Sequence, residues 1–133
     1  MKASDLFVKC LEAEGVTKIF GIPGEENADL MISLKKSKIE FILCRHEQAA
    51  AFMADVYGRL TGKAGVCLAT LGPGVTNLMT GLADANMDRA PVVAIIGQGS
   101  TERLHKESHQ IMDSISMVAP ISKWAQTILS ARN

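Results

Sequence analysis

The sequence predicts an α/β domain built as a doubly wound parallel sheet with helices on both faces. Short, continuously apolar runs alternate along the chain with longer segments in which apolar residues recur at helical spacing. Because the short runs are apolar at successive positions, they are typical of strands that are covered on both sides. Right-handed crossovers between such strands place helices on both faces of one sheet.

The first third of the chain is predicted to form two helix–strand pairs. The first helix is capped by Ser4 and ends at Gly15, and its apolar stripe consists of Leu6, Phe7, Cys10 and Leu11. A strand over residues 18–22 follows and stops at a Pro-Gly pair. The second helix then runs to about residue 36, and residues 39–43 form the second strand.

The middle of the chain is predicted to form a helix, a strand and a further helix. Residues 46–60 form the first of these helices, and Gly62 ends it. Its apolar residues are Ala49, Ala50, Phe52, Met53, Val56, Tyr57 and Leu60. The strand covers residues 65–69. After a glycine turn, the next helix has its apolar residues at helical spacing, at Val75, Leu78, Met79, Leu82 and Ala83.

The last third is predicted to begin with a buried strand over residues 92–96, which Pro91 introduces. A polar loop over residues 97–110 is too long for a simple connector, and it is either a mobile loop over a site or a surface loop. A short helix over residues 111–117 and a last strand over residues 121–125 complete the prediction.

The composition is that of an ordinary globular domain and excludes several functions. Of the 133 residues, 47% are apolar, and the 14 Lys and Arg balance the 14 Asp and Glu. We therefore expect no nucleic-acid partner and no membrane association, because no basic field and no apolar run of about 20 residues is present. The three cysteines lack C-x-x-C spacing, so we expect no metal site, and buried thiols in a reducing cytoplasm.

Three segments are predicted to meet at the carboxyl edge of the sheet, where ligands bind in open parallel sheets. They are Pro23-Gly24, Arg45-His46-Glu47 and residues 70–74. The turn Gly72-Pro73-Gly74 lacks the third glycine of a dinucleotide fingerprint, because Asn77 stands in its place. These glycines therefore either serve the turn alone or let a ligand approach the backbone closely.

Glu47 is the titratable residue of most interest at this edge. One interpretation is a favourable interaction of its carboxylate with a helix N-terminus. The other is a carboxylate held away from water by Ala49, Ala50 and Ala51, which would suit proton chemistry. Arg45 and His46 are more typical of a solvated and a packed side chain.

Four motifs in order give the chain a family resemblance. They begin at Arg45-His46-Glu47, at Gly58-Arg59-Leu60, at Thr70-Leu71-Gly72 and at Asp88-Arg89-Ala90. Together they resemble the N-terminal pyrimidine-binding domain of thiamine diphosphate enzymes of the acetolactate synthase and pyruvate oxidase group. The resemblance covers nearly the whole chain, and within the group it is greatest to acetolactate synthase large subunits. It implies that residues 1–133 are one such domain of a longer polypeptide.

The resemblance implies roles for individual residues. The glutamate that matches Glu47 hydrogen-bonds a ring nitrogen of the aminopyrimidine and favours the imino tautomer, which then removes a proton from the thiazolium carbon. Gln110 matches a glutamine near the reacting centre. The residues implied to border the cofactor are Pro23, Gly24, Thr70, Gly72, Pro73, Gly74 and Asn77.

The resemblance also implies cofactors, a substrate and partners. Thiamine diphosphate is implied, with Mg²⁺ held by a Gly-Asp-Gly motif of a diphosphate-binding domain that this chain lacks. FAD stays open as a further cofactor, although Ile111 replaces the Glu common in flavin-dependent members. The substrate would be a 2-oxo acid such as pyruvate. Partners would be a second copy, as a homodimer or higher homo-oligomer, and the diphosphate-binding domain of the same or a partner subunit.

Three alternatives to an acetolactate synthase-like carboligase stay open on the sequence. They are a 2-oxo acid decarboxylase or oxidase, a sulfoacetaldehyde acetyltransferase-like enzyme, and a non-catalytic assembly module that kept the fold. In every case the chain alone is expected to be inactive, because the diphosphate motif is absent.

Overall fold

The computed structural model describes residues 2–104 and 106–130, and its centre is a sheet of four parallel strands. The strands are β1 (Lys18–Gly21), β2 (Glu40–Leu43), β3 (Gly65–Ala69) and β4 (Val92–Ile96). Their order across the sheet is β2-β1-β3-β4, and every neighbouring pair is parallel. Among the described residues, β4 pairs with β3 alone and so forms one edge of the sheet.

Helices cover both faces of this sheet. They are α1 (Ala3–Ala13), α2 (Ala28–Leu34), α3 (Glu47–Thr61), α4 (Pro73–Met87) and the short α5 (Ser114–Val118). Side chains of α1 and α2 form one core cluster with the sheet, which includes Val8, Leu34 and Val66. Side chains of α3 and α4 form the other, which includes Ala51, Cys67 and Leu78. The predicted doubly wound α/β fold is therefore confirmed.

The small residues of α3, rather than its large ones, face the core. The buried stripe of α3 consists of Glu47, Ala50, Ala51, Ala54, Asp55 and Gly58. The larger apolar residues Met53, Val56 and Leu60 are 45%, 50% and 81% exposed. Only small side chains fit on this face of α3, because the backbone of β3 lies very close to it. A Cβ on Gly65 of β3 would come within 1.9 Å of the Ala54 carbonyl oxygen.

Arg59 joins the C-terminal ends of α3 and α4. Its guanidinium donates two hydrogen bonds, of 2.8 and 2.7 Å, to the buried carboxylate of Asp55. The same group donates to Asp84 and Asp88 of the α4 end, at 2.9 and 2.5 Å. A bidentate pair of this kind fixes geometry, so the two helix ends are held together at a defined distance.

Two details predicted for α1 are wrong. The helix begins at Ala3, so Ser4 lies in its first turn and does not cap it. The Ser4 hydroxyl instead accepts a hydrogen bond from Ser33 at 2.9 Å, which ties α1 to α2. Cys10 is exposed, because Val8 and Leu11 form the buried side of the helix. The predicted end at Gly15 is confirmed, and this glycine has a φ of +78°.

The predicted strand over residues 121–125 is wrong. A 3-10 turn over Ala119–Ile121 replaces its start, and irregular chain follows. Pro120 at the start of this turn favours helical backbone. The Trp124 side chain is 76% exposed, so the apolar pattern of this segment does not reflect burial among the described residues. No helix in the described parts of the chain is long and apolar enough to cross a membrane.

The three thiols are expected to differ in reactivity. Burial raises the pKa of the Cys67 thiol to about 12 and also raises the pKa of Cys44, so neither supplies thiolate in mildly alkaline buffer. Titration of the native chain with a thiol reagent should therefore label Cys10 rapidly and the other two only after denaturation. Rapid labelling of all three thiols without denaturant would contradict this expectation.

Candidate functional site

The sheet topology makes the carboxyl ends of β1 and β3 the expected position of a ligand crevice. The chain leaves β1 for β2 on one side and returns across β1 to β3 on the other, so the strand order reverses at this point. The helix after β1 packs on one face, and the helix after β3 packs on the opposite face. Ligands of open α/β sheets bind outside the carboxyl ends of the strands at such a reversal.

The loop after β1 lies directly against the loop after β3. A Cβ on Gly24 would come within 2.6 Å of the Thr70 Cβ and 2.8 Å of its hydroxyl oxygen. Only a glycine therefore fits between these two loops without displacing Thr70. The Gly24 backbone N–H donates to the Asn27 side-chain oxygen at 2.8 Å, which fixes the loop. Pro23, just before it, is exposed.

Glu47 is the first residue of α3 and points into the molecule. The preceding residue, His46, caps the helix by accepting the Gln48 backbone N–H at 3.1 Å. Only 9% of Glu47 is exposed. Its Oε2 accepts a hydrogen bond of 2.9 Å from the Asn77 side-chain amide, whereas Oε1 accepts none from the described residues. One oxygen of a nearly buried carboxylate is therefore available to a ligand.

Gly74 lies beside the free oxygen of Glu47. A Cβ on this residue would lie 3.7 Å from Glu47 Oε1 and 3.3 Å from the Thr70 methyl carbon. Glu47, Gly74 and Thr70 thus share one small region of the crevice. Because Gly74 has no side chain, this residue does not cover Glu47 Oε1, the atom with an unused acceptor position.

Gln110 lies over the glycine turn that begins α4. Gly72 has φ +58° and ψ −117°, and a Cβ there would come within 2.7 Å of the Gln110 Cβ. Gln110 itself has a φ of +57°, which is uncommon for a residue with a side chain. Strained backbone that is held in place by its surroundings is frequent at functional sites. Pro73 is the first residue of α4 and is exposed.

Glu26 is a second carboxylate at this edge, and sequence reasoning missed it. The Thr70 hydroxyl donates to Glu26 Oε2 at 2.8 Å, and a Cβ on Gly97 would lie 3.4 Å from the Glu26 Cβ. Glu26 therefore lies between the loops that follow β3 and β4. The signal in the sequence was a glutamate close behind a Pro-Gly turn, which is too common a pattern to single out.

The structure brings together most residues that the sequence predicts for the site. Glu47 meets Asn77, Gly74 lies beside Glu47 and Thr70, and Thr70 meets Gly24, while Gly72 meets Gln110. Arg45 is exposed. Residue 105 of the predicted polar loop lies outside the described residues. The rest of that loop contains a 3-10 turn over Thr101–Arg103. In the described ranges, no cluster of three or more His, Cys, Asp or Glu could hold a metal ion.

Comparison with known proteins gives one family and consistent relatives. Residues 1–117 match the family described as "Thiamine pyrophosphate enzyme, N-terminal TPP binding domain". The chain is 47% identical over 128 residues to a catabolic acetolactate synthase of Raoultella terrigena, with 96% of the chain and 23% of that protein covered. It is 46% identical over 123 residues to a probable acetolactate synthase large subunit of Methanocaldococcus jannaschii, with coverages of 92% and 21%. An acetolactate synthase of Bacillus subtilis is 43% identical over 132 residues, with coverages of 99% and 23%. The chain thus spans less than a quarter of the length of these relatives.

Proposed function

Because the chain belongs to the thiamine pyrophosphate (thiamine diphosphate) enzymes and forms their N-terminal cofactor-binding domain, we propose that it is the pyrimidine-binding part of an acetolactate synthase. The proposed reaction transfers a two-carbon unit from pyruvate to a second 2-oxo acid. The observation that carries the proposal is Glu47, a nearly buried carboxylate with one free oxygen at the strand-order reversal. The similarity to three acetolactate synthases supports the choice of reaction.

The residues present fit the pyrimidine half of this cofactor. The ring nitrogens and amino group of an aminopyrimidine need hydrogen-bond partners and close contact on both sides. Glu47 Oε1 is a free oxygen that can share a proton with a ring nitrogen, and Gly74 beside it carries no side chain. Glu47, Gly74 and Thr70 would hold the ring, with Gly24, Gly72 and Pro73 lining the same turns. Gln110, which lies against Gly72, would reach the substrate side.

Glu47 would act by exchanging a proton with the ring nitrogen that it contacts. When bound, thiamine diphosphate supplies the electron sink that decarboxylation of a 2-oxo acid requires. The protein contributes a carboxylate that Asn77 holds in one orientation and that is shielded from bulk water. In such a setting a positioned carboxylate is an effective proton donor and acceptor, because solvent does not compete for its hydrogen bond.

We further propose that the diphosphate, Mg²⁺ and any FAD are bound by segments outside this chain. The relatives are four to five times longer than the part that this chain matches. The described residues contain no cluster of carboxylate, imidazole and thiol groups suited to a metal ion. The diphosphate-binding domain of a partner subunit would complete the site, so that the working enzyme is a homodimer or a higher homo-oligomer.

An apolar groove along the outer side of α3 supports this arrangement. The groove has a volume of about 450 Å³ and is lined by Phe20, Phe52, Met53, Val56, Tyr57 and Leu60. Met53, Val56 and Leu60 of this lining are exposed, and apolar side chains that are grouped and uncovered can mark a protein contact. The groove lies along the helix that begins at Glu47, so a domain docked there would contact the element that carries this carboxylate. We propose the partner subunit's diphosphate-binding domain as its occupant.

Product analysis tests the proposed function. The polypeptide that carries this chain together with its diphosphate-binding domain would be incubated with pyruvate, thiamine diphosphate and Mg²⁺. We expect acetolactate and a dimer or larger assembly in sedimentation. Acetyl phosphate in the presence of phosphate, or consumption of sulfoacetaldehyde, would instead identify an oxidase or an acetyltransferase. Absence of thiamine diphosphate binding would indicate a non-catalytic module.

A further inference from the structure

Helices α3 and α4 run parallel and in register from the crevice to the opposite edge of the sheet. Each follows a parallel strand, so both begin at the carboxyl edge. At this end Glu47 bonds Asn77, and at the far end Arg59 bonds Asp84 and Asp88. Contacts therefore join the N-terminal ends of α3 and α4 to each other, and likewise their C-terminal ends.

One turn below the Glu47–Asn77 bond, the two helices touch through their smallest residues. Ala51 follows Glu47 by four residues, and Gly81 follows Asn77 by four, so each pair lies on one helix face. A Cβ on Gly81 would come within 2.5 Å of the Ala51 Cβ and 3.1 Å of the Phe52 backbone nitrogen. The separation of the helices at this level is therefore set by Gly81 having no side chain.

The hydrogen bond from Asn77 decides how the Glu47 carboxylate is presented. The last torsion of a glutamate side chain is broad and nearly two-fold, so packing alone does not orient the two oxygens. The Asn77 amide donates to Oε2 at 2.9 Å, which leaves Oε1 as the oxygen that faces Gly74 and Thr70. An amide can donate here without adding charge, whereas a carboxylate in its place would repel Glu47.

We propose that Asn77 is the positioning residue of Glu47, and that the contact between Ala51 and Gly81 keeps the Asn77 amide within hydrogen-bond reach. The proposal rests on the proposed function and adds to it the way in which the Glu47 carboxylate is oriented. Asn77 acts on the cofactor through Glu47, by fixing which oxygen and which lone pair meet the pyrimidine ring. Gly81 acts one step further away, by fixing the distance between two helix backbones.

The Asn77→Asp substitution tests the first half of the proposal. It keeps the size of the side chain, removes the donor and places an oxygen against Glu47 Oε2. The control is Asn86→Asp, the same chemical change on an exposed residue near the other end of α4. In the polypeptide that carries the diphosphate-binding domain, we expect Asn77→Asp to lower kcat about tenfold to a hundredfold. We expect little change in the KM for pyruvate and weaker thiamine diphosphate binding by fluorescence titration, with Asn86→Asp near wild type.

Moving a methyl group from α3 to α4 tests the second half of the proposal, the role of Gly81. Gly81→Ala adds a methyl group where no space exists, and it should lower kcat and cofactor affinity as Asn77→Asp does. Adding Ala51→Gly to Gly81→Ala moves the methyl group from α3 to α4 and relieves the closest contact, so part of both losses should return. Crystal structures of the ligand-free polypeptides give a readout that does not depend on turnover. We expect the distance from Asn77 Nδ2 to Glu47 Oε2 to exceed about 3.5 Å in Gly81→Ala, beyond hydrogen-bond range.

The outcomes separate this proposal from the proposed function. If the wild type makes acetolactate and Asn77→Asp behaves like Asn86→Asp, the role of Asn77 is refuted while the function stands. If Gly81→Ala lowers only thermal stability and leaves kcat and the crystallographic distance unchanged, the role of Gly81 is refuted. If the wild type neither binds thiamine diphosphate nor makes acetolactate, the proposed function fails and the positioning role fails with it.

Discussion

Replacing Glu47 by Gln is expected to lower kcat about a hundredfold to ten-thousandfold while leaving the fold intact, in the polypeptide that carries this chain with its diphosphate-binding domain. The substituted side chain is nearly isosteric, and its one oxygen can still accept the Asn77 amide, as Glu47 Oε2 does at 2.9 Å. The group that then faces the crevice is an NH₂, which cannot accept a proton or a hydrogen bond. The hydrogen bond to Asn77 persists, whereas the proton exchange with the ring nitrogen is lost.

Steady-state kinetics and thermal unfolding measure this result together. The control is Glu14→Gln, which makes the same change on an exposed residue at the C-terminal cap of α1. We expect the control to match the wild type in kcat and both variants to unfold within a few degrees of it. A Glu47→Gln enzyme with unchanged kcat would refute the catalytic role of this carboxylate and with it the main support for the proposed function.

Gly65→Ala is expected to destabilise the chain by at least about 3 kcal/mol, at the upper end of what overpacking costs. Gly65 begins β3, and a Cβ there would lie 1.9 Å from the Ala54 carbonyl oxygen and 2.9 Å from the Ala54 Cα. These are backbone atoms of α3, so relief requires the whole helix to move away from the sheet. Because α3 carries Glu47, partial relief would also displace the carboxylate from the crevice.

Urea unfolding of the chain checks this value against a second glycine. Gly15 has a φ of +78°, and a Cβ there would lie in open space. Gly15→Ala should therefore lower the free energy of unfolding only by the cost of left-handed backbone, about 1–2 kcal/mol. Gly65→Ala therefore measures a steric clash without left-handed backbone, and Gly15→Ala measures left-handed backbone without a clash. Equal losses would show that the sheet and α3 tolerate an added methyl group between them.

The fold could be predicted from the sequence in the segments whose hydrophobic pattern matches the burial of their side chains. Strands β3 and β4 are found at the predicted residues 65–69 and 92–96, because both are short apolar runs flanked by turn residues. The prediction fails at residues 121–125. The segment Ile-Ser-Lys-Trp-Ala there has no neighbouring strand among the described residues, and a strand exists only if a partner supplies its hydrogen bonds.

The orientation of α3 could not be predicted from hydrophobicity alone. Hydrophobic patterns weigh Met53 and Leu60 above Ala50 and Ala54, yet the alanines are buried and the large residues are exposed. What decides this is the close approach of Gly65 and Gly81, and a sequence does not state which helix a glycine will meet. Met53 and Leu60 lie instead on the outer side of α3, where this chain does not cover them.

The sequence could predict that the candidate residues meet at one edge of the sheet, but not which side chains bond to each other. Topology rules and the carboxylate at a strand end were sufficient to bring Glu47, Gly74 and Thr70 to one edge. The bond between Asn77 and Glu47 joins residues 30 positions apart, and that between Thr70 and Glu26 joins residues 44 apart. Such pairs depend on side-chain direction, which spacing along the chain does not encode.

The open edge of the sheet at β4 has a practical consequence for work on the chain by itself. Val92–Ile96 reads Val-Val-Ala-Ile-Ile, without charge or proline, and Val93 is 42% exposed. Among the described residues this strand has a neighbour on one side only, so its other side presents backbone groups that can template a strand from another molecule. We expect the isolated chain to self-associate as its concentration rises, and a lysine at position 93 is the simplest way to keep it monomeric for measurement.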